Sequence, residues 1–398
     1  MSEWVTFTLR DVADVFDGPH ATPSKTDVGP WYLSISSLNS GRFDLSRSSH
    51  LSDVDLPRWT KRVAPRPGDT LFSYETRLGE ASYWDSDVPA ALGRRMGLLR
   101  PKQGIVEPRY LTYAYLGPQF QEMIRQKTLS GATVDRIPVG EMPDWPVVLP
   151  SLETQRKISD IVGSVDDLIE NNRRRVEVLE EMARSIYHEW FVKFRYPGHF
   201  NVPMVDSALG QIPCDWRVVR FGDLAKISSG KRPPSRNTQA SPDSSVPVVG
   251  AGSVMAYTEA PLTKSRTLVT GRVGTHGVVQ RFSAPVWPSD NTFVLVSESY
   301  EYTYQVMLGL DYGSLNRGAA QPLIAQRDLV NLPTLLPTAE ILLRFERAAG
   351  PLMAAAERLV LLSKRVAALR DHLLPQLVTG KVDVSGFDLN AVLSEQVG

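Results

Sequence analysis

The chain repeats itself, and that repeat limits what it can fold into: two related halves, each closed by a helical segment. Trp4-Val5-Thr6-Phe7-Thr8-Leu9-Arg10-Asp11-Val12-Ala13 aligns with Trp216-Arg217-Val218-Val219-Arg220-Phe221-Gly222-Asp223-Leu224-Ala225 at an offset of 212. Arg77-Leu78-Gly79 then matches Arg272-Val273-Gly274, Gly131-Ala132 matches Gly318-Ala319, and Leu149-Pro150 matches Leu336-Pro337 at an offset of 187. The falling offset makes the second globular half the shorter one. The spacing predicts a globular half over residues 1–150, a helical segment over 151–196 and a linker over 197–213. A second globular half over 214–335, a helical segment over 336–380 and a tail over 381–398 follow.

Residues 151–192 hold no proline and 338–374 hold only Pro351, so both segments read as helices. Gly163 and Gly350 predict a break in each, with Ser164 and Asp167 as a capping box and Pro351 at a first helical position. A heptad places Val165, Asn172, Leu179 and Ile186 at a, with Leu168, Arg175, Met182 and Glu189 at d. In the second helix the a positions are Leu352, Leu359, Val366 and Leu373, and the d positions Ala355, Leu362, Leu369 and Gln376. Such stripes also suit ordinary core-facing helices, but two at equivalent places in a duplicated chain make each the other's natural partner. Asn172 at an a position would set register at some cost in stability.

Glycine, proline and short β-branched or aromatic runs fill the globular halves. Trp31–Ile35, Thr70–Tyr74, Pro247–Val249 and Thr292–Val296 read as short strands. The expected fold class is α+β: two similar, mostly antiparallel domains with helices, separated by a pair of long antiparallel coiled-coil helices with pseudo-two-fold symmetry. The 44 basic residues balance 44 acidic ones. Phosphates, however, respond to potential within about a Debye length, roughly 8–10 Å. Four acid-free stretches carry four basic residues each: Leu56–Gly68, Val88–Val106, Leu224–Pro242 and Ala260–Ser289. The single cysteine, Cys214, excludes an internal disulfide framework and suits a reducing cytoplasm. No signal-like start and no apolar run of about 18 residues occurs, so the expectation is a cytoplasmic protein without a membrane anchor.

Several of these segments resemble the specificity subunit of type I restriction-modification systems, over nearly the whole chain. Gly18-Pro19-His20-Ala21-Thr22-Pro23-Ser24 and Ser229-Gly230-Lys231-Arg232-Pro233-Pro234-Ser235 look like the turn after the first strand of that family's target recognition domains. Pro67-Gly68-Asp69-Thr70-Leu71 and Gly271-Arg272-Val273-Gly274-Thr275-His276-Gly277 resemble its central strand and glycine-rich turn. Leu149-Pro150-Ser151-Leu152-Glu153-Thr154-Gln155 is similar to the opening of its helical region, and the second copy departs by placing Leu342 where the first has Gln155. The resemblance implies a non-catalytic chain whose two recognition domains read a split, asymmetric site on double-stranded DNA. It implies docking of two adenine-methyltransferase subunits and of restriction/translocase subunits, with S-adenosylmethionine, ATP and Mg on those partners and no cofactor on this chain. Helices of about 28 residues would span roughly 42 Å, close to the roughly 34–36 Å between half-sites one DNA turn apart.

Chemistry of the chain's own is not legible. The only Pro-Pro, Pro233-Pro234, lacks the Asn and aromatic neighbours that would hold a flipped adenine. Gly271, Gly274 and Gly277 fit neither dinucleotide nor Walker spacing, Asp144 and Glu153 lack the lysine of a nuclease motif, and the six histidines show no metal-ligand spacing. The residues expected at DNA are Arg77, Arg94, Arg95, Arg136, Lys231, Arg232, Arg272, His276 and Gln321, since Arg reads guanine, Gln reads adenine, and cations beside glycine turns reach phosphate. The neutral charge leaves open a two-lobed scaffold for other proteins, with these residues as plain surface. A specificity module without a restriction partner is a third reading.

Overall fold

The computed structural model describes residues 4–39, 41–130, 134–317, 323–384 and 386. They form two compact units. The first joins the chain up to Arg173 with the chain from Leu361 onward, and the second is Arg174–Val360. Each unit therefore holds one globular lobe and a portion of both long helices.

The first lobe runs β1 (Val5–Thr8), α1 (Leu9–Val12), β2 (Ala13–Asp17), β3 (Thr26–Tyr32), β4 (Leu38–Asn39), β5 (Arg42–Phe43), β6 (Ser49–His50) and α2 (Leu56–Trp59). It continues through β7 (Thr70–Ser73), β8 (Ala81–Tyr83), β9 (Ala90–Ala91), β10 (Met96–Pro101), α3 (Pro108–Leu116), α4 (Pro118–Lys127) and β11 (Pro146–Leu149), then the long helix α5 (Leu152–Tyr187). β1 pairs with β11, a four-stranded antiparallel sheet is ordered β2-β10-β7-β8, and a three-stranded sheet is ordered β6-β3-β9 with β9 parallel to β3. The buried central strands β7 and β10 and the short helix α1 put Phe72, Leu99 and Leu9 into one core with Tyr110, Tyr115, Phe120 and Trp145.

The second unit repeats that plan with fewer residues. After an antiparallel hairpin, β12 (Met204–Ser207) and β13 (Gly210–Pro213), which folds part of the segment read as linker, come β14 (Arg217–Arg220), α6 (Phe221–Leu224), β15 (Lys226–Ser229) and β16 (Val246–Val249). There follow β17 (Val254–Thr258), β18 (Thr267–Gly271), β19 (Val279–Phe282), β20 (Trp287–Pro288), β21 (Thr292–Val296), α7 (Tyr300–Leu308), α8 (Gln326–Val330), β22 (Pro333–Leu336) and α9 (Ala339–Leu377). β14 pairs with β22, one sheet is ordered β15-β21-β18-β19, and another β17-β16-β20 with a parallel β16–β20 pair. The four runs read as strands all contain strands.

The helices are continuous where breaks were expected. Gly163 lies inside α5, where a Cβ would come within 2.8 Å of the Arg109 guanidinium, so glycine serves close packing. Ser164 bonds back to the Asp160 carbonyl at 2.6 Å and Asp167 pairs with Arg109 at 2.7 Å, so they form no capping box. In α9 the helix passes through Pro351; Gly350 has no Cβ to clash with the proline ring, which relieves the usual restriction on the preceding residue.

Within each unit the helix portions pack antiparallel. In the first, Ile158 and Val162 share a core with Leu374, Leu377 and Val378. In the second, Tyr187, Trp190 and Phe191 surround Phe345, at ring separations of 6.2, 6.1 and 5.0 Å. The expected a positions Val165, Asn172, Leu179, Ile186, Leu352, Leu359, Val366 and Leu373 are all buried or half-buried. The partner row is a correction: Leu168, Met182, Leu362 and Leu369 are exposed, and the inner positions lie one residue later, at Ile169, Val176, Ala183, Ala356, Ser363, Arg370 and Leu377. Polarity hid that row, because its polar members, Ser363 and Arg370, are satisfied by side chains of the facing helix. Asn172 donates to Ser363 Oγ at 3.3 Å, Arg370 donates to Asp166 at 2.6 Å, and the Tyr113 hydroxyl donates to Asp166 at 2.7 Å.

Each long helix also holds the first turn of its lobe's outer helix. Buried Gln155 accepts the Glu107 N–H at 2.9 Å and donates to the Pro150 carbonyl at 2.9 Å, just where α3 begins. In the second unit Leu342 is buried among apolar groups, and Glu346, one turn on, accepts the Glu301 and Tyr302 N–H groups at 2.9 and 3.0 Å. The polar role has moved by one turn rather than vanished. Gln155→Leu strands two buried backbone groups and is expected to cost about 2 kcal/mol, read as a lower urea midpoint.

Candidate nucleic-acid interface

Strand polarity gathers the loops of each lobe at one end of its four-stranded sheet. In the first lobe β2 ends at Asp17 opposite Gly97, β10 starts at Met96 opposite Ser73, and Phe72 of β7 faces Ala81 of β8. The turns after Asp17, after Ser73 and before Met96 thus emerge together. Gly18 donates to the Met96 carbonyl at 2.7 Å, and a Cβ there would lie 2.8 Å from two carbonyl oxygens, so only glycine allows this approach. Ile137 donates to the Tyr74 carbonyl at 2.8 Å, which brings Arg136 to the same end.

Carboxylates orient the guanidinium groups here. Half-buried Arg77 donates to the Ile35 carbonyl at 2.9 Å and to Glu80 at 3.1 Å. Arg95 is ion-paired with Glu75 at 2.9 Å and reaches Thr76 Oγ1 at 3.3 Å. Of the three described non-glycine residues with left-handed backbone, Thr76 (φ 70°) and Arg95 (φ 72°) are both in this cluster, a strained pair of turns held by their surroundings. Arg94 and Arg136 are exposed, and the Arg94 N–H donates to the Tyr32 hydroxyl at 2.9 Å. Burial, reinforced by Asp17 and Glu75, pushes the Tyr74 hydroxyl up to about 12, so it keeps its proton as a donor.

In the second lobe, Ser229 at the end of β15 faces Phe293, Thr292 faces Gly271, and Thr270 faces Val279. Lys231, Arg232, Arg272 and His276 all lie on the turns at that end. Gly230 donates to the Thr292 carbonyl at 3.0 Å, and Lys231 donates to Pro288 while accepting the Trp287 indole N–H at 2.7 Å. Backbone bonds lock the Arg272 turn: its N–H reaches Asn291 at 2.9 Å, and its carbonyl accepts from Ile324 at 3.0 Å. His276 Nδ1 lies 3.3 Å from the Gly271 carbonyl, while its buried Nε2 has no hydrogen-bond partner among the described residues. Lys231, Arg232 and Arg272 make no ion pair with a described residue. Gln321 lies outside the described residues.

Residues 1–181 match the family model for the type I restriction modification DNA specificity domain. The MjaIX type I restriction enzyme specificity subunit of Methanocaldococcus jannaschii is 23% identical over 96% of this chain and 94% of that protein. The HindI specificity subunit of Haemophilus influenzae is 21% identical over 96% of this chain and 100% of its own. The S subunit of the M. genitalium type I system shares the fold, with a TM-score of 0.60 at 14% identity over 94% of this chain and 96% of that one. Over nearly its whole length the chain is thus similar to type I specificity subunits, and over residues 1–181 it matches their DNA specificity domain.

Eight of the nine residues expected at DNA fall at the equivalent ends of two equivalent sheets. Sequence reasoning missed their supports. The fold turns three carboxylates there onto neighbouring cations: Asp17 to Arg62 at 2.5 Å, Glu75 to Arg95 and Glu80 to Arg77. The signal available was their proximity in sequence to glycine-bearing turns. Tyr32, which joins two of the turns through its hydroxyl, carried no signal at all.

Proposed function

We propose that this chain is a type I specificity subunit and reads a bipartite, asymmetric site on double-stranded DNA, one half through each lobe. The observation that carries the reading is the matched clustering of basic turns at the same end of the four-stranded sheet in both lobes. Arginines pre-oriented by carboxylates suit bidentate reading of base edges, and exposed cations on glycine turns suit phosphate. The chain's zero net charge does not oppose this, because phosphates respond to local potential and the acids at the first lobe's reading end, Asp17, Glu75 and Glu80, are each paired with a cation.

The exposed apolar side of the long helices supports docking of two adenine-methyltransferase subunits. Leu168, Met182, Leu362 and Leu369 are 42, 48, 44 and 54% exposed on helices whose opposite sides are packed. Restriction/translocase subunits would join that core. S-adenosylmethionine, ATP and Mg would belong to those partners, leaving this chain non-catalytic, in the cytoplasm. No helix among the described residues is long and apolar enough to cross a membrane.

Methylome sequencing of a host with and without the subunit tests the reading. A split adenine-methylated motif should appear only with it. Arg272→Ala should relax one half of that motif, with about 1–3 kcal/mol of discrimination lost at one position and the other half unchanged. A methylome identical with and without the subunit would favour the scaffold alternative.

A further inference from the structure

The basic stretch Leu56–Gly68 has no part in the turns described so far, yet the fold carries it to their side. Tyr32, 6% exposed, is the hub. Its ring packs edge-on against Trp59 of α2 at 6.1 Å, within a small core of Leu51, Ala91 and Leu56. Its hydroxyl accepts the Arg94 N–H at 2.9 Å and donates to the Ala21 carbonyl at 3.3 Å. Helix α2, the Arg94 turn and the loop after β2 are therefore tied to one side chain. Past the last turn of α2, Arg62 is anchored to Asp17 at 2.5 Å and remains 64% exposed, while Arg58 and Lys61 are exposed one turn apart. Asp17 also lies 3.3 Å from His20.

Among the described residues the second lobe has no helix in the stretch between β17 and β18, and its Arg266, although 48% exposed, is bonded to buried Glu301 at 2.6 Å.

We propose that Arg58, Lys61 and Arg62 form a phosphate-gripping edge beside the reading turns of the first lobe, so that this lobe supplies more of the sequence-independent, salt-sensitive affinity. The inference rests on the DNA reading proposed above. Three exposed cations within five residues, one held by a carboxylate, suit contacts to backbone phosphates better than reading of base edges. They stand beside the Gly18 turn, to which Arg62 is tied through Asp17, and not on it. Phosphate contacts position a protein on the duplex and carry no sequence information.

The test uses the full chain with a duplex bearing its methylated motif and a scrambled duplex, each titrated by fluorescence anisotropy over a salt series. The triple variant Arg58→Gln, Lys61→Gln, Arg62→Gln should flatten the slope of log affinity against log salt by about 2–3 on both duplexes. The preference for the motif should be unchanged. A control triple at the opposite end of the sheet, Arg10→Gln, Lys102→Gln, Arg156→Gln, should leave the slope as it was. An unchanged slope in the first triple, or an equal loss in the control, overturns the edge. A wild-type chain that binds both duplexes equally overturns the reading by the turns, while the slope still decides the edge.

Discussion

Arg370→Ala should lower the stability of the first unit by about 3–5 kcal/mol, the cost of leaving a buried charge without its counterpart. Arg370 and Asp166 are 8 and 7% exposed and bonded at 2.6 Å. Asp166 also accepts from the Tyr113 hydroxyl, whose own ionisation is pushed far up by burial and by that carboxylate, so it stays a donor. The pair sits on the inner row of the helix packing, so alanine would open a cavity beside an uncompensated carboxylate. An apolar triple, Tyr113→Phe, Asp166→Leu, Arg370→Leu, should recover most of the loss, because well-packed hydrophobic groups often replace a buried pair at little cost. Urea midpoints and hydrogen exchange of α5 amides measure both. A loss below about 1 kcal/mol for Arg370→Ala would show that water reaches the pair and that the inner row is not sealed.

Glu301→Gln should have a comparable effect on the second unit, about 3 kcal/mol, and it should reach the reading turns. Glu301 is 1% exposed and holds both Arg266 and Arg281. Arg281 lies over the Tyr300 and Tyr304 rings at 5.2 and 4.7 Å, so the amide would leave a guanidinium buried among aromatic faces without the carboxylate it is bonded to. Arg281 belongs to β19, the outgoing strand of the hairpin whose turn bears Arg272 and His276. The expected result is lost hydrogen-exchange protection in β18 and β19, and relaxed methylation at one half of the motif. Full protection of that hairpin in the variant would disconnect the ion cluster from recognition.

The duplication, the strand runs, the two helices and their mutual packing were legible because each depends on local pattern: period, proline placement and turn residues. The side of each helix that faces inward was not. From the a positions a row can be continued three or four residues on, and apolarity favoured Leu168, Met182, Leu362 and Leu369. The fold chose the other row, because Arg370 finds Asp166, itself bonded to Tyr113, and Ser363 finds Asn172, at sequence separations above 190 for the helix pairs. A polar residue looks unfit for burial until its partner is known. Gly163 misled for a similar reason: its neighbour, Arg109, is far away in the chain.

By itself the sequence determined that this protein is a duplicated α+β chain with two long helices and basic, glycine-bearing turns in each half, since those features are written in residue order. Only the tertiary structure decided which side of the helices is sealed and which is left apolar and open. It also decided which arginines are braced by carboxylates, and that α2 stands beside the Arg94 turn. Burial, charge pairing and adjacency are properties of pairs of residues, and most of these pairs form only when distant segments close on one another.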